Sequence, residues 1–437
     1  MQDYFYALSD HLYQQLKPAE RLLANYQGED SDFIRLNHGK IRQAGQVTQH
    51  YLTLELAQGA SHLSSRLTLC GDMPMDLAAA QAVLARMRQQ LPHVPDDPYL
   101  NLPSQPTASE HKATDLLPEA GETVSRILQQ ARGLDLVGYW ASGVMRQGMT
   151  DSIGSRHWQS SHSFNLDWSC YQQGQAVKNN YAGRQWDETA LVRKLEKDRQ
   201  ALDILQRSST TLTPGVYRAY LAPAAMEEIL GMLGWGDFGL KSQRTRRSAL
   251  LPLLEGDRSF DAKVTLTEAP DRGLAATFTE QGFVVDQPVS LIEQGHFSQA
   301  LVSPRSAMEY HEPMNCAHES PQSLRMQAGT LADEEILEAL DTGVYISNLW
   351  YCNYSDRNHG RITGMTRFAS FWVEKGKIIG PLSVIRFDDT LYRMLGDHLL
   401  ALTAQRETRI SPSSYDQRSS RSTTLPGGLL REIRLTL

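Results

Sequence analysis

From residue 211 onward the chain is dominated by short apolar, β-branched and aromatic runs, at 215–221, 263–266, 275–278, 289–292, 344–349, 368–373, 378–387 and 430–437. Turn signals separate them, among them Glu280-Gln281-Gly282, Glu293-Gln294-Gly295 and Glu374-Lys375-Gly376-Lys377. Many strand runs with few helical patterns restrict this half to a large, mostly antiparallel β architecture. The first half reads differently. Phe5, Leu8, Leu12 and Leu16 recur at helical spacing. Residues 33–36, 49–56 and 65–69 then read as strands, with a turn at His38-Gly39-Lys40, and 75–91 is rich in strong helix formers. A second helix–strands–helix unit follows, with helices at 119–131 and 187–207 around strands at 134–142 and 162–171. Between the units lie Pro92, Pro95, Pro98, Pro103, Pro106 and Pro118, so 92–118 is expected to be a linker or an extended surface segment. The expected class is α+β: a mixed α/β domain over 1–208, then a β-rich domain over 209–437.

Composition removes several functions. Lys and Arg total 43 against 50 Asp and Glu, a net charge of -7, which argues against a general nucleic-acid binder. Cys70, Cys170, Cys316 and Cys352 lie far apart with no C-x-x-C pair, which argues against a zinc ribbon or a thioredoxin-type redox site and fits a reducing compartment. The first residues lack the basic and apolar regions of a signal peptide, and no apolar run approaches the ~20 residues of a membrane span. A soluble, cytoplasmic chain is expected. The nucleophile elbow G-x-S-x-G and the phosphate loop are absent, and Gly231-Met232-Leu233-Gly234-Trp235-Gly236 does not match the dinucleotide fingerprint.

Metal chemistry has one loop candidate. A zincin needs two histidines at i and i+4 of a helix and a glutamate beside the first. Here His311-Glu312 and His318-Glu319 are interrupted by Pro313, so only a loop cluster of His311, Cys316 and His318 remains open, against a plain polar surface loop. Lys241, Arg244, Arg246 and Arg247 form a basic run that is either a solvated face or an anion contact. Tyr345, Trp350, Tyr351, Tyr354, Phe368, Phe371 and Trp372 surround a polar segment, 353–367, that carries Gly360 and Gly364. That segment reads as an ordinary β connection or as a peptide-binding loop offering Asn353, Arg361, Thr363, Gly364 and Arg367.

The order of several segments is similar to that of a known family. They are 212–217 (LTPGVY), 221–225 (LAPAA), 278–282 (FTEQG), 291–295 (LIEQG), 343–346 (GVYI), 360–364 (GRITG) and 371–378 (FWVEKGKI), with Met365 and Thr366 departing from the usual residues. Together they resemble the TldD/PmbA (TldE) family, modulators of DNA gyrase also described as microcin-processing peptidases. The resemblance implies two branches. TldD-type members carry an H-E-x-x-G-H helix and a late cysteine that hold zinc. TldE-type members lack them and pair with TldD to trim unfolded or modified peptides. Aligned on Pro223, the two histidines and the glutamate fall on Gly231, Gly236 and Met232, no histidine occurs between His162 and His296, and 407–428 contains no cysteine. The resemblance therefore implies a TldE-like chain with no catalytic residue and no cofactor of its own, zinc residing in a TldD-like partner. Without metal ligands, bound water keeps its high pKa and hydrolysis its high barrier. A β edge can still pair with an extended peptide. Two alternatives stay open: a metallopeptidase with a relocated site, and a stand-alone peptide-binding homodimer.

Overall fold

In the computed structural model, which describes residues 1–436, strand alternation in the first half runs much further than 33–36, 49–56 and 65–69. β1 (Arg21–Asn37), β2 (Lys40–Gln58), β3 (Ser61–Thr68), β4 (Ala108–Lys112), β5 (Asp135–Asp151), β6 (Arg156–Gln172) and β7 (Gln175–Gly183) form one sheet, ordered β3-β2-β1-β5-β6-β4, with β7 also on β6. Every pair is antiparallel except β4 on β6. His38 and Gly39 join β1 to β2 with φ of 50° and 62°, the paired positive values that a tight hairpin turn requires.

Four helices cover one face of this sheet: α1 (Gln2–Tyr13), α2 (Met73–Gln90), α3 (Ala120–Gln130) and α4 (Glu188–Leu205). The carboxylates of Asp72, Glu119 and Asp187 cap α2, α3 and α4 by accepting backbone N–H bonds. Leu22, Ala24 and Tyr26 of β1 pack with Phe5, Leu8 and Leu84, while Ile34 and Leu36 pack with Val124, Ile127, Leu191 and Leu195. These β1 residues are all even-numbered, and strand side chains alternate, so they share one face. α1 and α2 cover one end of it and α3 and α4 the other. The odd-numbered face is polar and yet buried, with Glu29, Ser31, His157, Gln159, Ser161, Ser163 and Asn165 all under 9% exposed.

The second sheet has eleven strands: β8 (Gly215–Leu221), β9 (Leu266–Glu268), β10 (Val289–Glu293), β11 (His296–Phe297), β12 (Ser323–Met326), β13 (Gly343–Asp356), β14 (Arg361–Glu374), β15 (Lys377–Pro381), β16 (Arg386–Thr390), β17 (Leu399–Ile410) and β18 (Ser422–Leu435). Its helices are short: α5 (Pro223–Leu233), α6 (Leu240–Arg244), α7 (Leu251–Leu254), α8 (Pro304–Tyr310) and α9 (Ile336–Leu340). β8 pairs with both β13 and β18, which closes β8, β13, β14, β16 and β18 into a ring. Ala225, Met226, Ile229 and Leu233 of α5 join Val344, Ile346, Leu430 and Ile433 in the core of this half. The fold is α+β, as expected.

Local expectations change in several places, and the single run at 378–387 divides into β15 and β16. Residues 92–118 run over the surface but supply β4, and Asn101 donates to the Pro304 carbonyl at 2.9 Å. Residues 275–278 form no ladder strand. Phe278 is buried instead by stacking on His157 at 5.1 Å, so a tertiary contact rather than sheet pairing explains that apolar run. The run at 263–266 gives way to β9, which starts at its last residue. Finally, 353–367 is not a loop: it is the paired ends of β13 and β14, joined by a turn at 357–360. Its polar residues alternate with Ile362, Gly364 and Thr366, which are buried, so the segment is a half-buried hairpin.

Candidate functional site

α5 starts at Pro223, a residue suited to a first helical turn, directly after strand β8. The three positions aligned with a zinc motif diverge on it. Gly231 lies on the exposed face, where a Cβ would meet nothing within 4 Å. Met232 is buried in the core at 2% exposure. Gly236 lies beyond the helix end with φ of 103°. Two of these residues bring no donor atom and the third points into the core, so this chain's own residues do not fit a zinc ion there. One turn earlier on α5, Glu227 accepts a hydrogen bond from Thr423 Oγ1 at 2.9 Å and pairs with Arg409. That ion pair joins the open face of α5 to the ends of β17 and β18.

Just past α5, Asp237 forms a node. Its carboxylate is fully buried and accepts from the Ala249 N–H (2.6 Å), Tyr354 Oη (2.8 Å) and Arg357 Nε (3.1 Å). Burial pushes its carboxyl up in spite of these donors. Tyr354 also meets Trp235 edge-on at 6.2 Å. The node pins the β13–β14 turn to the end of α5. Tyr354 faces α5, so the neighbouring Asn353 and its cross-strand partner Thr363 face away. Arg361 and Arg367 share that outward side of β14. Arg361 pairs with Asp388 at 2.6 Å, and Arg367 lies 4.2 Å from the Trp350 ring centroid. Gly364 belongs to the other side, where a Cβ would come 2.7 Å from the Phe387 ring and 2.8 Å from Cys352 Sγ. Tyr351 and Phe368 sit at bulges beside this face with φ of 58° and 57°, which is strained backbone for bulky side chains.

The loop candidates do not converge. His311 and His318 are exposed, whereas Cys316 is buried and its thiol is pushed up by desolvation. Among the described residues no three His, Cys, Asp or Glu side chains gather as a metal site requires. Three residues of the basic run are paired internally, Lys241, Arg244 and Arg246 with Glu309, Glu312 and Glu255, while Arg247 is exposed. No helix among the described residues is long and apolar enough to cross a membrane.

Sequence reading missed the contact between the two sheets. The polar face of the N-terminal sheet receives the loop between β17 and β18, and two cavities open beside it. The first, of ≈ 130 Å³, is lined by Gln147, Glu268, Phe278, Cys316 and His318 among others. Glu268, 5% exposed, accepts from the Gln322 and Ser323 N–H groups at 3.0 and 2.9 Å, yet burial pushes its carboxyl up to about 7. An unfolded glutamate releases its proton near 4.5. Between these values only the folded chain holds the proton, so stability present at low pH is lost as pH rises from about 4.5 to about 7. The loss is up to about 3 kcal/mol. Glu268→Gln is expected to gain on the parent chain by at least about 1 kcal/mol between pH 5 and pH 8. Urea melts of both proteins at each pH measure this, and parallel pH profiles would refute it.

Two sheets in contact across a polar seam, the second closed into a ring with a helix packed on it directly after its first strand, define the class as an α+β protein. The profile of the PmbA/TldA metallopeptidase C-terminal domain matches residues 214–436, half of the sequence, and the chain belongs to this TldD/PmbA family. TldE from Thermococcus kodakarensis has a similar structure, with a TM-score of 0.79 and 14% identity over 98% of this chain and 100% of that one. A candidate modulator of a DNA gyrase from Thermotoga maritima MSB8 gives a TM-score of 0.75 and 12% identity over 99% of this chain and 100% of that one. A candidate modulator of DNA gyrase from Bacteroides thetaiotaomicron VPI-5482 also gives 0.75, with 14% identity over 99% of this chain and 98% of that one. No curated protein matches the chain.

Proposed function

We propose that this chain is a TldE-like, non-catalytic subunit that presents unfolded or modified peptides to a zinc-bearing TldD-like partner. The observation that carries the reading is the chemistry of α5: Gly231 and Gly236 have no ligand atom, and the Met232 thioether is buried in the core. The likeness in fold to a protein named TldE supports the same branch. For the peptide contact we assign the outward face of β13 and β14, with Asn353, Arg361, Thr363 and Arg367. Gly364, on the buried side, is left out. The strained bulges at Tyr351 and Phe368 favour this face, since strain of that kind clusters at ligand clamps. The unpaired edge of β2 offers a second place for backbone pairing, because β3 meets β2 only from Tyr51 to Gln58.

The test is a cleavage assay on an unstructured peptide with zinc measured in each sample. The chain alone is expected to carry no stoichiometric zinc and to leave the peptide intact, with cleavage appearing on addition of a TldD-like protein. Stoichiometric zinc together with cleavage by the chain alone would overturn the proposal.

A further inference from the structure

The second cavity, of ≈ 310 Å³, lies where the end of β7 meets β12, β17 and β18. Arg184, Arg272 and Arg325 are among the residues that line it, and no Asp or Glu is. Arg272 is partly neutralised by Asp271 at 2.9 Å. Arg184 and Arg325 make no ion pair among the described residues, and the one side-chain bond of Arg325 goes to Thr424 Oγ1 at 3.3 Å. Burial, with Arg406 and Arg272 close by, disfavours the charge on Arg325, and Asp271 offsets this only in part, so positive potential is in excess here. The hydroxyl of Ser323, a residue 2% exposed, lines the same cavity and has no hydrogen-bond partner. Gly273 keeps this floor open, because a Cβ would come 1.8 Å from Ser323 Oγ. The remaining walls include Leu274, Leu324 and Ile410, which are apolar.

Guanidinium groups in excess select an oxyanion, and apolar walls select what carries it. The volume sits at the small end of ligand sites. We propose that this crevice is a binding site for a carboxylate borne on an apolar body, namely the free carboxyl end of a short peptide. The inference deepens the peptide-binding reading above and rests on it. It is tested on the chain alone with no peptidase partner, so its failure leaves the subunit role standing.

Isothermal titration calorimetry with acetyl-Leu-Leu bearing a free carboxylate, with its C-terminal amide and with inorganic phosphate tests the site. The acid is expected to bind, with the amide and phosphate each roughly tenfold weaker or more. Arg325→Gln and Arg184→Gln should each weaken the acid by a similar factor. Arg184 is exposed and unbonded, so its variant keeps the fold, as an unchanged melting temperature would verify. The inference is overturned by absence of acid binding, by equal affinity for acid and amide, by phosphate matching the acid, or by both variants retaining full affinity.

Discussion

Replacing Arg418 with Met is expected to remove about 3–5 kcal/mol of stability, read as a large drop in the urea midpoint. Arg418 belongs to the loop between β17 and β18, yet it is buried in the N-terminal sheet at 9% exposure. Its backbone N–H donates to Glu29 Oε2 at 3.1 Å. Its guanidinium donates to Ser31 Oγ at 2.9 Å, to the Ser163 carbonyl at 3.0 Å and to the Gly143 carbonyl at 2.9 Å. Glu29, 3% exposed, faces the guanidinium at 3.3 Å. Removing the guanidinium leaves that buried carboxylate without its counter-charge, held only by Gln49 Nε2 and the residue 418 backbone N–H, and the cost comes from the unpaired charge more than from the lost attraction. Adding Glu29→Gln should therefore restore part of the loss, a coupling that a double-mutant cycle measures. An Arg418→Met midpoint within about 1 kcal/mol of the parent would show that the two sheets do not depend on this clasp.

Asp237→Ala should be of comparable severity, with a loss of about 3–4 kcal/mol on the same assay. Three donors converge on its fully buried carboxylate, and alanine leaves the Ala249 N–H and the Tyr354 hydroxyl without their acceptor and the half-buried Arg357, which keeps its bond to the Trp235 carbonyl, without its counter-charge. Asp237→Asn keeps an acceptor for two of them and is expected to lose less than half as much. Equal losses for the two substitutions would point to side-chain volume rather than hydrogen bonding as the cause. Because the node pins the β13–β14 turn to α5, the alanine variant should also speed amide exchange at 357–360 before it unfolds the rest.

Much of the scaffold was legible because local patterns have local causes. β8 follows from the strand-like run at 215–221, α5 was expected from the family resemblance at Pro223, and the helices at 75–91, 119–131 and 187–207 differ from α2, α3 and α4 by one or two residues at each end. The absence of a ligand atom at Gly231 and Gly236 was legible too, since glycine has no side chain in any fold. The polar hairpin was read as a loop because Arg361, Thr363 and Arg367 look solvent-loving. Alternation with buried Ile362 and Thr366 was the signal that would have found β14.

What the sequence determined by itself is the period of each element and the chemical poverty of Gly231, Met232 and Gly236. What only the tertiary structure decided is which polar residues leave water. Asn165 lies between Phe164 and Leu166 as the outer face of any half-buried strand would, and Ser31 lies between two aspartates as an exposed residue would. They are buried because a loop some 250 residues or more further along the chain brings Arg418 and the Ile410 carbonyl to them. A polar side chain carries no local mark of its distant partner. Burial of hydrogen-bonding groups depends on that partner arriving, and so it is fixed by the packing of the two sheets and by nothing in the neighbouring sequence.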